Sequence, residues 1–78
     1  MLELYYSPSC PYCKKVIDYF DAHDIEYIPK NISEAEHYDQ LMEIGKVSQV
    51  PFMIDTSTGR MMYESEDIIS YAKILEKK

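Results

Sequence analysis

The chain has only two cysteines, Cys10 and Cys13, separated by Pro11 and Tyr12. That spacing limits what can hold the fold together. A disulfide across two residues closes so short a loop that it takes little entropy from the unfolded chain. Secreted mini-proteins held by disulfides usually carry four or more cysteines closing long loops. The 78 residues must therefore fold by apolar burial. They make one domain, residues 1–78, because two cores do not fit in that length. An apolar share of 46% is enough for such a core. The two thiols are left for chemistry or for a metal.

Zinc asks for about four ligands. Beyond the thiols the chain offers only His23 and His37, and their spacing matches no zinc-finger pattern. No metal site is expected, and the histidines are placed on polar helix faces. Redox chemistry is the preferred reading of the pair, over a metal site or an inert one. Fourteen acidic against eight basic side chains give a net charge of -6. That balance argues against nucleic acid and against an anionic membrane surface as partners. No apolar run approaches the ~20 residues of a membrane span, and the amino terminus lacks a signal-peptide pattern. A cytoplasmic monomer is the expectation.

Leu2 to Tyr6 is a short strand-favouring run ended by Ser7-Pro8-Ser9. Alternation turns one of Tyr5 and Tyr6 to the core. Pro11 suits the first turn of a helix, and Val16, Ile17 and Phe20 give it an apolar stripe to about Ala22. A second strand is expected over Ile25 to Ile28, stopped by Pro29. Ser33 and Glu36 form a capping box for a second helix. Its stripe is Tyr38, Leu41, Met42 and Ile44, and Gly45 stands as its C-cap. Phe52 to Ile54 and Met61 to Tyr63 flank a turn-forming stretch and read as a hairpin. Ser65 then caps a last helix with Glu66 and Asp67 in its first turn, Ile68, Ile69, Ala72 and Leu75 inward, and Lys77 and Lys78 at its end. The five methionines are expected as core filler. The order is β-α-β-α-β-β-α, an α/β domain with parallel crossovers followed by an antiparallel hairpin.

The cysteines thus fall between a strand and a helix, where free N–H groups and the positive dipole end gather. A thiolate at the helix start is stabilised. Cys10 is therefore the expected nucleophile, and Cys13, one turn deeper, closes back on it.

Cys10-Pro11-Tyr12-Cys13 after a Tyr-rich strand, Val50-Pro51 ahead of Phe52-Met53-Ile54, and Glu64-Ser65-Glu66-Asp67 opening the last helix together resemble a dithiol glutaredoxin, of the thioredoxin superfamily. Met62-Tyr63-Glu64-Ser65 with Ile68 also resembles the N-terminal domain of glutathione transferases. The resemblance covers essentially the whole chain. It implies a thioredoxin fold, a four-stranded mixed sheet with helices on both faces. It further implies a thiol–disulfide oxidoreductase acting on protein disulfides or glutathione mixed disulfides. Glutathione would be its co-substrate, with no tightly bound cofactor.

By the same resemblance, a cis peptide before Pro51 turns the Val50 backbone toward the thiols to pair with glutathione. Ser65 takes the γ-glutamyl carboxylate and Glu66 or Asp67 its ammonium. Tyr12, exposed next to the thiols if the helix starts at Pro11, either packs on the bound thiol or is a simple surface tyrosine. Electrons come through glutathione and its reductase, or alternatively from a thioredoxin reductase. A non-enzymatic iron–sulfur or zinc module is a further alternative. A transferase is the weaker expectation, because the chain ends at Lys78 without a second helical domain. Two departures stand out. Ser7 replaces a lysine that many glutaredoxins use for the glycine carboxylate, and Tyr63-Glu64 replaces a glycine pair. Gln40, Lys14 and Lys15 are the candidate substitutes for the lysine.

Overall fold

A computed structural model describes residues 1–76. The elements run β1 (Leu2–Tyr6), α1 (Pro11–Ala22), β2 (Tyr27–Asn31), α2 (Ala35–Gly45), β3 (Phe52–Asp55), β4 (Arg60–Met62) and α3 (Ser65–Glu76). The sheet order is β2-β1-β3-β4, with β1 parallel to β2 and antiparallel to β3, and with β3 and β4 an antiparallel hairpin. This is the thioredoxin fold.

Because β1 is central, both of its faces are covered, and adjacent residues Leu4 and Tyr5 are both buried. Leu4 joins Leu2, Val16, Phe20, Met53, Ile68 and Ala72 in a core under α1 and α3. Tyr5 joins Phe52 and Leu41 in a smaller core under α2. Each fully buried aliphatic or aromatic side chain stabilises by about 1.5–3 kcal/mol. Helical spacing selects the buried faces: Cys13, Val16 and Phe20 on α1, and Ile68 with Ala72 on α3. The far ends of these two helices are joined by Glu76, which accepts from the Tyr19 hydroxyl at 2.9 Å and faces His23 Nδ1 at 2.8 Å. At the end of β3 the buried Asp55 carboxylate accepts from the Tyr71 hydroxyl and from the Ser57 N–H.

Several sequence expectations shift. Pro29 does not stop the second strand but lies inside it, opposite Leu4. Since β2 is an edge strand it needs ladder donors along one side only, and proline is tolerated there. The Ser33 capping box does not form. The Ser33 N–H is taken by the Asn31 side chain at 2.9 Å, and the helix starts one residue later behind Glu34, with no side-chain cap. Gly45 is the last helical residue rather than the cap, and the left-handed position is Lys46, φ 63°. Tyr63 comes after β4 instead of belonging to it.

Ser65 is the first residue of α3, and the Glu64 carbonyl ahead of it accepts the Ile68 N–H at 2.9 Å. Of the α2 stripe only Leu41 is buried; Tyr38, Met42 and Ile44 are exposed, because α2 covers little more than Tyr5 and Phe52. Of the methionines, Met53 lies in the core and Met62 packs against it, while Met1, Met42 and Met61 are exposed at the chain start, on α2 and on the short edge strand β4. Lys77 and Lys78 lie outside the described residues.

Candidate functional site

The two cysteines occupy the N-cap and the third position of α1. Cys10 is extended (φ -92°, ψ 116°), its carbonyl accepts the Lys14 N–H at 3.1 Å, and Pro11 takes the first helical place, where no donor is needed. An N-cap side chain is positioned to accept from the N–H two or three residues on. Here the acceptor is the Cys10 sulfur, 3.4 Å from the Cys13 N–H. The two-residue gap of the motif is therefore the geometry of a helix cap. The residue whose N–H faces the first sulfur is also the residue that carries the second thiol.

The two sulfurs sit in different surroundings. Cys10 is half-buried and Cys13 fully buried, and both are free thiols. Burial pushes the Cys13 thiol up to about 12, against the weaker opposing effect of the Ser7 backbone N–H bonded to it; the neighbouring Cys10 pushes it further the same way. Cys13 is thus protonated through the neutral range. Cys10 stands at the surface end of the pair, held by a tight turn in which its N–H donates to the Ser7 carbonyl at 3.1 Å.

Across from the helix start, the Val50–Pro51 peptide is cis. The Cys10 thiol points at the Val50 carbonyl oxygen, 4.0 Å away. Alongside runs a groove of about 460 Å³, within the usual range for small-molecule sites. Tyr12, Val50, Pro51, Ser65 and Glu66 all line it, so three separated stretches of chain meet there. Tyr12 is 64% exposed, and Ser65 is nine-tenths buried at the start of α3. Helix N-termini of this kind present free N–H groups to an anion.

Lys15, Gln49, Tyr63 and Glu64 complete the groove. Of the three substitutes for the missing lysine, only Lys15 faces it. Lys14 pairs with Asp18 at 2.9 Å, and Gln40 accepts from Lys30 of β2 at 3.1 Å. The Ser7 hydroxyl is engaged with Ser9 at 3.2 Å. Sequence alone does not single out Gln49 and Tyr63 as site residues. Gln49 is signalled only by standing next to Val50, and Tyr63 only by its place in the Met62-Tyr63-Glu64-Ser65 segment. His23 stacks on Tyr19 with ring centroids 4.1 Å apart, and His37 lies against Glu34 at 2.9 Å. Among the described residues, no three His, Cys, Asp or Glu side chains converge where a metal ion could be held. Nor is any described helix long and apolar enough to cross a membrane.

A family model described as the glutathione S-transferase N-terminal domain matches residues 4–77. An uncharacterized glutaredoxin-like 8.6 kDa protein in a rubredoxin operon of Clostridium pasteurianum is 29% identical over 52 residues, 65% of this chain and 69% of that protein. Among solved structures, a glutathione S-transferase from the Antarctic clam Laternula elliptica superimposes with TM-score 0.78 at 26% identity, over 99% of this chain and 36% of that one. A glutathione S-transferase from Methylobacillus flagellatus, solved with glutathione bound, gives TM-score 0.73 at 22% identity, over 91% and 35%. The chain spans about a third of the length of those two transferases.

Proposed function

Because the chain belongs to the family of glutathione S-transferase N-terminal domains, we propose that it is a glutathione-dependent thiol–disulfide oxidoreductase built on Cys10 and Cys13. The observation that carries this reading is the Cys10 sulfur at the α1 N-cap, facing the carbonyl of Val50, a residue that lines the groove. The glutaredoxin-like relative and the Cys10–Cys13 pair support redox chemistry over transfer.

In this mechanism the Cys10 thiolate attacks one sulfur of a substrate disulfide. The S–S bond breaks, one substrate thiolate leaves, and Cys10 is held in a mixed disulfide. Cys13 then gives up its proton to a departing thiolate and attacks the Cys10 sulfur. The second substrate thiol is released and a Cys10–Cys13 disulfide remains. The substrate gains two electrons and the protein loses two. Two glutathione molecules return them, leaving as glutathione disulfide. Where the substrate is itself a glutathione mixed disulfide, Cys10 suffices: it takes the glutathionyl group, and a second glutathione removes it.

Glutathione lies in the groove in this reading. The Val50 backbone pairs with its cysteinyl part as an added strand would. Ser65 and the α3 start take its γ-glutamyl carboxylate, Glu66 its ammonium, and Tyr12 and Pro51 flank the sulfur. Protein disulfides are the second partner class. A single C-x-x-C pair, rather than four or more cysteines closing long loops, suits a reducing compartment, and we place the chain in the cytoplasm as a monomer.

The test is NADPH consumption with glutathione and its reductase, using a glutathionylated thiol as substrate. Cys10→Ser should abolish turnover, whereas Cys13→Ser should retain it for glutathione mixed disulfides and lose it for protein disulfides. Turnover that survives Cys10→Ser would overturn the assignment. A second electron donor, thioredoxin reductase, is favoured by one observation: Ser7, engaged with Ser9, offers no cation for the glycine carboxylate. Supplying that reductase without glutathione separates the two donors.

A further inference from the structure

The Tyr63 hydroxyl has no part in the chemistry above, yet the fold makes room for it. It donates to the Gly45 carbonyl at 2.9 Å, joining the residue after β4 to the last residue of α2. A Cβ on Gly45 would collide with that hydroxyl oxygen, so the close approach requires glycine. The ring is held from behind by Phe52, with centroids 4.8 Å apart, and it lines the groove.

Beyond Gly45 the exposed stretch 46–49 leads to Val50. It turns out of α2 through Lys46 in the left-handed region, where the Lys46 N–H still donates to the Met42 carbonyl at 3.0 Å. From residue 47 to residue 50, among the described residues, the hydrogen bond to the rest of the fold is the Cys10 thiol on the Val50 carbonyl. Apart from the Val50 side chain, which packs on the Tyr5–Leu41–Phe52 core, the segment takes its position from its two ends. Buried Pro51 is one end, and the Tyr63–Gly45 bond is the other.

We propose that Tyr63 is a positioning residue for Cys10: by holding Gly45 it sets the course of residues 46–50 and so the place of the Val50 carbonyl opposite the thiol. The proposal rests on the reading of Cys10 as the nucleophile and adds a residue that touches neither sulfur. The contact of the Cys10 thiol with that carbonyl has to be given up before the sulfur can attack, so it holds the residue back. Releasing the segment therefore makes Cys10 react faster at neutral pH.

The experiment is iodoacetamide alkylation of the full chain, resolved by mass spectrometry at Cys10 and Cys13, for wild type, Tyr63→Phe, Gly45→Ala and the double variant. Circular dichroism is followed in parallel. At pH 7 we expect Tyr63→Phe to alkylate at Cys10 about threefold faster, within what one net hydrogen bond supports. Cys13 should stay unreactive in every variant. Gly45→Ala should act in the same direction by displacing the hydroxyl. Added to Tyr63→Phe it should change the rate by less than about twofold, because the colliding oxygen is already gone.

A Cys10 rate in Tyr63→Phe equal to wild type would overturn the proposal, even if the melting temperature falls. So would an equal effect of Gly45→Ala in both backgrounds, which covers the case of one variant folding poorly. Wild-type Cys10 reacting no faster than Cys13 would instead overturn the nucleophile reading. The ratio between variants still decides the role of Tyr63 in that case.

Discussion

Cys13 is the residue whose environment says most about division of labour in the pair. Its buried thiol, pushed up to about 12, should leave a Cys10→Ser chain almost inert to iodoacetamide at pH 7–8, with a rate that climbs past pH 10 without levelling off. A plateau near the ordinary cysteine range would contradict the burial argument. The same shift has a stability consequence. The folded chain keeps the proton to higher pH than the unfolded chain does, so the contribution is complete below about 9 and is lost as pH rises toward about 12. Urea midpoints measured across that window should fall more steeply for wild type than for Cys13→Ala.

Asp55 works in the opposite sense. The Tyr71 hydroxyl, foremost, holds its carboxyl below the ordinary value of 3.8. That contribution is present above the ordinary value and is lost as pH falls below it. Tyr71→Phe should cost about 1–3 kcal/mol at pH 7, because it leaves a buried carboxylate short of a donor. The gap to wild type should narrow in urea titrations near pH 3, and a gap that stays constant would show that the hydroxyl acts by packing alone.

At the scale of elements, α3 offers a paired test. Ile68 is fully buried under β1 and β3, and Ile74, six residues on, is 57% exposed. Ile68→Ala should cost about 2–5 kcal/mol by urea denaturation. Ile74→Ala should stay within about 0.5 kcal/mol. Comparable losses at both positions would mean that α3 is packed differently.

The elements also show where sequence reading reaches its limit. The spans of β1 and α1 are legible because their signals are local: strand formers ended by Ser-Pro-Ser, then proline at the first helical position and a stripe at helical spacing. The start of α2 is not, because the Asn31 side chain competes for the N–H of the apparent cap. Nor is the reason for Gly45, which lies 18 residues away in Tyr63. The dithiol could be found from spacing alone, and Val50 and Ser65 from motifs that resemble a family. Lys15 is one of three candidates that the sequence does not separate, and Gln49 and Tyr63 meet at the groove only once the sheet order is known.

For the whole molecule, the Cα radius of gyration is 11.6 Å, against about 11.5 Å expected of a compact chain this long. A monomer should therefore scatter X-rays with a radius of about 12 Å that does not change on dilution, and a larger, concentration-dependent value would mean that copies associate. That outcome also depends on the outer margins of the sheet. One is β4, three residues long, and the other is β2, with Pro29 at its middle. A foreign strand seeking to extend the sheet finds a short template on one flank and an imino acid on the other. The exposed tyrosine, isoleucine and methionine side chains of α2 therefore have no neighbouring β-edge suited to recruiting further chains. Replacing Pro29 with valine would remove the obstacle on its flank and favour fibril growth, with Pro29 thereby acting as a guard of solubility.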